Sequence, residues 1–526
     1  DGKVRGPLLE RFYGPEIMQA FAEIKALFDP KGLLNPGNVV NPGDIASITQ
    51  RMRIKPLDTK PVVPPVNTFY DYSDQDGFGH AVEMCNGAGV CRKSSGGTMC
   101  PSYRGTMDER HSTRGRGNAL RLAITGQLSA SNAADVSARF SDVGTIETLD
   151  LCLSCKACKT ECPSNVDISK LKAEYTAQRY KATGTIPLKA LLTGHIRWLN
   201  RIGSATPGLA NTVNATGPMK WIIRKVMGVH AKRTLPKFSE SLYRLWGSQR
   251  DAASPTSAIR VVMFADCFTT YNESHIGLAA RAVLHKLGYD VELPKVGCCG
   301  RSMISVGMLA QATATADATI EQLRPAIEDD TVAAIIVIEP SCLSAIKDDW
   351  LELKCNAPIA LRKKLAAKAM LLEEFVEKRW DSHPIKPKPA PETVAGDVIF
   401  HAHCHQKALW TANSSAAVLR RVLGSRLKVL DTGCCGMAGS FGYDENKYEL
   451  SMRIANLDNT GGSDPITGNA GGGVLPHVRK NPDAIVVATG TSCRHQIKDG
   501  TAHEGPATGG QRHAIHPVEL LNQLLA

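Results

Sequence analysis

Four cysteines within one short loop, Cys152-Leu-Ser-Cys155-Lys-Ala-Cys158-Lys-Thr-Glu-Cys162, followed at once by Pro163, constrain this chain more than any other feature. Thiols at every third position wrap three ligands around one face of an inorganic cubane, while the fourth, held before proline, turns away toward a second centre. Zinc sites usually pair two separated C-x2-C hooks, so the spacing points to iron–sulfur ligation, a [4Fe-4S] cluster, rather than a zinc knot. The sixteen cysteines are not needed as staples, because a chain of 526 residues buries several cores unaided. Its longest apolar runs, such as 333–338, fall far below the ~18 residues of a membrane span. No charged and then apolar leader follows Asp1. The expectation is a cytoplasmic protein without signal peptide or transmembrane helix, in a sequence that starts partway along a longer polypeptide.

The run is spaced like that of bacterial ferredoxins, so a partner motif is expected upstream. Cys85-x5-Cys91-x8-Cys100-Pro101 answers in altered form, with Ala88 where a further ligand would stand. Exchange between the two motifs assigns Cys100 to the cluster of Cys152, Cys155 and Cys158. Cys85, Cys91 and Cys162 then supply three thiolates to a second site, which is three-iron, completed by another ligand, or empty. On spacing alone, the grouping of Cys152, Cys155, Cys158 and Cys162 around one cluster stays open.

The second half repeats itself. Cys267 is followed after 30 residues by Cys298-Cys299-Gly300 and, after 42 more, by Cys342; Cys404 is followed after 29 by Cys434-Cys435-Gly436 and, after 57, by Cys493. Apolar stretches at 259–265 and 397–400 run into the first cysteine of each copy, and helical patterns at 278–287 and 416–423 follow. Stretches 291–296 and 427–430 lead into the cysteine pair, and 332–338 and 484–488 into the last cysteine. Strands alternating with helices imply a parallel sheet, with each cysteine past the C-terminal end of a strand, where such sheets bind ligands. The eight cysteines are therefore candidate ligands of further clusters, the bland alternative being buried free cysteine. The glycine after each pair is expected to leave room for backbone approach to an inorganic core. The extra length of the second copy, 461–473, reads as an inserted glycine-rich loop, not a phosphate cradle. Cys355 is left over as a structural or surface thiol.

This pattern, twice, downstream of a ferredoxin-like motif, resembles the iron–sulfur subunit of glycolate oxidase and the corresponding subunit of heterodisulfide reductase. Met99-Cys-Pro-Ser-Tyr-Arg104 and His111-Ser-Thr-Arg-Gly-Arg116 resemble the same class in its fused bacterial form. In heterodisulfide reductase each such domain closes on C-x2-C, and the set can hold a noncubane cluster. Here the closing element is single, Cys342-Leu-Ser-Ala345 and Cys493-Arg-His-Gln496, so one ligand per copy is missing. Phe28-Asp-Pro-Lys-Gly-Leu-Leu-Asn-Pro-Gly-Asn-Val39 resembles the closing segment of FAD-linked oxidases of the vanillyl-alcohol oxidase type. Asp1-Gly-Lys-Val-Arg5-Gly6 resembles the end of the Glu-His-Gly-Asp-Gly stretch of that family's D-2-hydroxy-acid dehydrogenases, whose catalytic histidine would precede Asp1. The resemblance implies Asn35 near the flavin and Arg5 near flavin or substrate, with the main FAD-binding domain upstream.

The formal charge is +11, yet residues 170–250 alone hold 15 Lys/Arg against two acids, a net of +13. Leu188, Leu191, Leu192, Ile196, Trp198 and Leu199, then Trp221, Ile222, Ile223, Val226 and Met227, interleave with those cations as two basic amphipathic helices. They suit an anionic membrane surface near a quinone, packing against the flavin domain or a second subunit, or a solvated bridge between domains. No nucleic-acid-binding motif accompanies the charge. His401-Ala-His403-Cys404-His405 looks like a metal tract, but strand alternation would put the three histidines on one face and Cys404 on the other. Supporting or structural roles are expected for them. Residues 55–68 are proline-rich and read as an extended linker.

The architecture expected is multidomain, α+β and α/β. Its parts are the tail of an FAD-linked oxidase (1–52), a linker (53–79) and a helical ferredoxin-like domain (80–185), then basic bridging helices (186–256) and two repeated α/β Cys-Cys-Gly domains (257–390 and 391–526). The function implied is the electron-transfer module of a flavin-dependent D-2-hydroxy-acid dehydrogenase, an oxidoreductase. D-2-hydroxyglutarate, D-lactate or glycolate would be oxidised by FAD, and electrons would pass through [4Fe-4S] to a quinone or other acceptor. Alternatives are a thiol/disulfide reductase at the Cys-Cys-Gly crevices and a zinc-binding or metal-free scaffold. The partners expected are the 2-hydroxy acid, the upstream FAD-binding part and another copy of the chain. Contact with the inner membrane surface is a further expectation.

Overall fold

The computed structural model describes residues 5–46, 63, 65–94, 96–128, 136–248, 259–457, 472–502, 504–505 and 510–526. The chain divides into two compact units, Asp1–Pro64 and Pro65–Ala526. Most of the glycine-rich insertion and of the proline-rich linker lies outside the described residues.

In the first unit a turn over Gly6–Leu8 leads into helices Leu9–Tyr13 and Pro15–Phe28, separated by Gly14 at φ 82°. Asp29 closes the second helix: its carboxylate accepts from Leu33 N at 2.9 Å and Leu34 N at 2.8 Å and pairs with Lys25. Phe12, Leu27 and Phe28 are 79%, 76% and 79% exposed, so these helices present uncovered apolar side chains. Arg5 and Asn35 are both exposed, and Asn35 sits in the left-handed region at φ 47°.

The second unit begins with the stretch read as the end of the linker. Tyr70 is 1% exposed, bridges to Leu353, and is packed against Tyr72, so residues 65–79 belong to this unit rather than hanging free. Helices follow at Phe78–Glu83, Pro101–Thr106, Thr113–Ile124, Val143–Asp150, Ala157–Glu161 and Ile168–Thr183. Three of them start where a side-chain oxygen caps a free N–H: Ser112 on Gly115, Asp142 on Thr145 and Asp167 on Lys170. Among the described residues the basic segment forms Leu188–Gly194, Ile196–Gly203, Pro207–Ala215, Gly217–Met227 and Leu242–Ser248, so the stretch expected at 188–199 is two helices and that at 221–227 lies within one. Pro187, Pro207 and Pro218 and the glycines between them break the pattern into short pieces. Leu188, Trp198, Leu209 and Trp221 stay 58%, 61%, 66% and 61% exposed.

In the first repeat, β1 (Arg260–Phe264), β2 (Asp290–Glu292), β3 (Val332–Val337) and β4 (Ala369–Met370) form one sheet in the order β2-β1-β3-β4. In the second, β5 (Val398–His401), β6 (Leu427–Val429) and β7 (Ile485–Ala488) take the order β6-β5-β7. Every strand pair is parallel, with Met263 beside Ile336 and Phe400 beside Val487. Continuous apolar strands buried on both faces account for this. Both repeats share one core, in which Met263, Ile336, Phe400, Val487 and Leu521 of the closing helix Pro517–Leu524 meet. No helix among the described residues is long and apolar enough to cross a membrane.

Candidate metal centres

The ferredoxin-like loop turns on backbone that ordinary side chains resist. Cys100, Ser154 and Lys156 have φ of 51°, 50° and 61°, a left-handed conformation that costs non-glycine residues ~1–3 kcal/mol and persists where surroundings over-determine it. Glu161 ties the two cysteine segments together, accepting from Thr98 N at 2.7 Å and Met99 N at 3.2 Å. Cys100 thereby stands near Cys152, Cys155 and Cys158, and near Cys91 as well. Thr113 supports Cys100, its N–H donating to the sulfur at 3.1 Å and its hydroxyl lying at 3.0 Å. Burial pushes the Cys100 thiol up to about 11 and those of Cys155 and Cys158 well above the ordinary range. Dry thiols resist ionising, and a cationic core that takes up their charge is the group such a set fits. Cys85 and Cys91 lie together beside Arg114, and Cys162 is half-buried.

In each repeat the four cysteines converge past the strand ends. Cys267 opens helix Cys267–Tyr271, Cys342 lies in Pro340–Ser344, Cys404 opens Cys404–Leu409, and Cys493 lies in Thr491–Gly500. In the first repeat the Cys267 and Cys298 sulfurs are 3.5 Å apart, and Cys299 donates to Cys342 at 3.0 Å. The hydrogen bond with Cys267 favours the Cys298 thiolate, but its bond to Cys299 and burial outweigh it and push Cys298 up to about 12. In the second repeat, bonds link Cys404 to Cys434, Cys434 to Cys435, and Cys435 to Cys493. The bond from Cys434 outweighs burial at Cys404 and holds that thiol down at about 6. Among the described residues no three His, Cys, Asp or Glu are spaced to hold a single ion. Cys355 stands apart, half-buried, with burial raising its thiol to about 11.

Gly300 and Gly436 have left-handed backbone, φ 74° and 86°, and at Gly436 a Cβ would come within 2.4 Å of Ser451 O, so packing alone already requires glycine there. One expectation needs correction. The strand alternation drawn for the histidine tract fails, because β5 ends at His401. His403 instead caps the next helix, its Nδ1 accepting from His405 N at 3.2 Å, and His405 is helical. The matching cap in the first repeat is Asp266, which accepts from Phe268 N and Thr269 N.

The contacts that join these centres have no signature in the sequence. Lys156, inside the cysteine run and 1% exposed, donates to Asp348 and Asp349, both at 2.6 Å. Asp349 also pairs with Arg301 at 3.1 Å and accepts from Tyr70 Oη at 3.2 Å. Trp350 Nε1 donates to Cys299 O at 3.1 Å, so the same short segment touches the first repeat's cysteine pair. His405 bridges all three regions: Nε2 lies 3.0 Å from Ser154 O and Nδ1 2.8 Å from Ser344 Oγ. Arg197, from the basic segment, donates to Ala265 O and Val296 O at 2.8 and 2.7 Å beside Cys267. A cavity of about 360 Å³ reaches Cys152, and one of about 710 Å³, walled by Trp198, Arg201, Tyr243 and Tyr271, reaches Cys298.

Fold and cysteine geometry together describe a chain whose cysteine sets suit iron–sulfur clusters. The family model for the C-terminal domain of FAD linked oxidases matches residues 1–39, and that for a 4Fe-4S dicluster domain matches 81–166. The cysteine-rich domain matches twice, at 261–347 and 398–498. The chain is 25% identical over 369 residues to a subunit of the anaerobic glycerol-3-phosphate dehydrogenase of Escherichia coli (strain K12), covering 69% of this chain and 83% of that protein. It is 23% identical over 562 residues to the D-2-hydroxyglutarate dehydrogenase of Pseudomonas putida, covering 99% of this chain and 50% of that protein. A Bacillus subtilis protein named "Probable glycolate oxidase iron-sulfur subunit" is 23% identical over 459 residues, covering 83% of this chain and 92% of that protein. The chain spans about half the length of the D-2-hydroxyglutarate dehydrogenases it matches. These relatives are named as dehydrogenases, a dehydrogenase subunit and an iron-sulfur subunit. The chain is an electron-transfer module of that kind, and [4Fe-4S] and FAD are the cofactors of the arrangement.

Proposed function

We propose that this chain carries electrons from FAD, reduced by a small D-2-hydroxy acid, through a cluster held by Cys100, Cys152, Cys155 and Cys158 toward the two repeats. A bound [4Fe-4S] core supplies one-electron transfer, and FAD the two-electron oxidation of the substrate. The observation that carries this reading is the junction: Lys156 and His405 fix the ferredoxin-like loop against both repeats. A rigid, dry contact of this kind holds donor and acceptor at constant separation. D-2-hydroxyglutarate, D-lactate or glycolate would be the substrate, in keeping with the relatives' names, and residues 1–52 would complete the flavin domain of the longer polypeptide. Arg5 and Asn35 are proposed to lie near flavin or substrate.

The cavity beside Cys298 supports exit to a quinone, since Trp198, Tyr243 and Tyr271 offer ring faces and Arg201 a donor. The exposed Trp198 and Trp221, on a segment of net +13, support contact with an anionic membrane surface.

Iron and acid-labile sulfide, measured on anaerobically purified chain and on two variants, test the cluster assignment. Cys100→Ser is expected to lose about four irons per chain, the content of one cubane. Cys162→Ser should spare that cluster. The reverse pattern would assign the fourth ligand to Cys162, and fewer than about two irons in the parent chain would end the electron-carrier reading.

A further inference from the structure

The histidine tract of the second repeat has no equivalent in the first. Phe264-Ala265-Asp266-Cys267-Phe268 stands where His401-Ala402-His403-Cys404-His405 stands in the other copy. His403 has taken over the helix-capping duty of Asp266, and both ring nitrogens of His405 are occupied at the junction. His401 is different. It is 1% exposed, its Nδ1 lies 2.7 Å from Thr432 Oγ1, and its Nε2 has no oxygen or nitrogen partner, only the Cys435 thiol beside it. That nitrogen faces the Cys435 thiol, the middle of the linked set Cys404, Cys434, Cys435 and Cys493.

A buried polar atom left unsatisfied costs ~1–3 kcal/mol, and a thiol is a weak partner, so an Nε2 that faces only Cys435 is poised for a stronger one. The geometry on the other side of the ring says which kind. Metal-binding imidazoles are oriented by a bond from the remaining nitrogen to a fixed oxygen, which sets the tautomer and leaves the lone pair toward the metal. Thr432 supplies that oxygen, and its own carbonyl and that of Gly433 are clamped by the buried Lys407 ammonium. The donor count agrees, because the closing position that could have carried a fifth cysteine is Gln496, whose Nε2 points to Ser451 O and Met452 Sδ.

We infer that His401 is a ligand of the second repeat's metal centre, which is a mixed thiolate–imidazole iron–sulfur cluster bound by Cys404, Cys434, Cys435, Cys493 and His401. The inference rests on the reading that this repeat binds a cluster, and the first repeat, with Phe264 in the equivalent place, cannot form the same centre.

The test uses the full chain purified anaerobically with ¹⁵N-labelled histidine. Magnetic resonance of its oxidised and reduced clusters is expected to show the coupling of a directly bonded nitrogen. His401→Cys should abolish that coupling yet retain the iron, whereas His401→Phe, which copies the first repeat, should release the iron of this site to a chelator ~10–100-fold faster. Cys434→Ser, assayed for iron in parallel, shows whether the repeat holds a cluster at all. Iron lost from Cys434→Ser but held equally well by His401→Phe and the parent chain would overturn the histidine ligand and leave the cluster reading standing. No iron lost from Cys434→Ser would overturn both.

Discussion

Lys156 shows what one residue can do when it sits between ligands. It lies between Cys155 and Cys158, and its ammonium is buried against Asp348 and Asp349. Burial alone would raise the Asp348 carboxyl, but Lys156 and Lys159 together hold it far below the usual carboxylate range. Removing Lys156 leaves two buried carboxylates with one cation each, Lys159 for Asp348 and Arg301 for Asp349, and breaking a buried pair costs up to ~3–5 kcal/mol. Lys156→Met is therefore expected to lower stability by about that amount in denaturant titrations. Lys156→Met combined with Asp348→Asn should recover part of the loss, and simple additivity of the two changes would contradict the pairing. The cysteines around Lys156 stand out from spacing alone as a ferredoxin-like run. The lysine does not, because its partners lie about 190 residues away, at Asp348 and Asp349, and no local pattern encodes that contact.

At the scale of elements, the strands of both repeats were readable because buried parallel strands are continuous apolar runs, as at 332–338. Observed β3, Val332–Val337, differs by one residue at its end. The histidine tract was misread for the opposite reason. A strand's period holds only while the strand lasts, and β5 stops at His401, where a cap and a helix take over. The basic segment forms helices as its apolar spacing suggested, and Trp198, Ile202, Trp221, Ile222 and Val226 face outward. Exposed tryptophan beside cations is the composition of an interfacial helix. Trp198→Ser and Trp221→Ser are each expected to weaken binding to vesicles containing anionic lipid by roughly tenfold, and added salt should weaken it further. Equal binding to neutral and anionic vesicles, or none to either, would remove the membrane contact from the proposal.

For the second unit as a whole, the two repeats behave as one body because they share a core and a clamp. Glu273 of the first repeat pairs with Arg494 of the second at 2.6 Å, directly beside Cys493, and accepts from Thr491 Oγ1 at 2.8 Å. Burial pushes the Glu273 carboxyl up, yet the Arg494 guanidinium prevails and holds it down at about 2. A carboxyl depressed from an unfolded value near ~4.3 contributes stability that is complete above that pH and disappears as pH falls toward about 2. The advantage of the parent chain over Glu273→Gln is therefore expected to be ~3 kcal/mol near neutrality and to shrink steadily below pH ~4. Denaturant midpoints measured from pH 6 to pH 3 check this; a constant difference would mean that Glu273 is not ionised by Arg494. Both repeats should unfold in a single transition, since Phe400 and Met263 belong to the same packed cluster.

By itself the sequence determined where the cysteines crowd, which runs are strands, and which segments are duplicated. Those are properties of spacing and periodicity, set by the reach of a few residues of backbone. The tertiary structure decided how the sets are combined. It brought Cys100 to the Cys152 run, placed His405 between the run and both repeats, and left His401 Nε2 facing thiols with nothing else to bind. Such contacts depend on how buried faces pack and on which polar atoms packing leaves unsatisfied, and both are settled only when the chain has closed on itself.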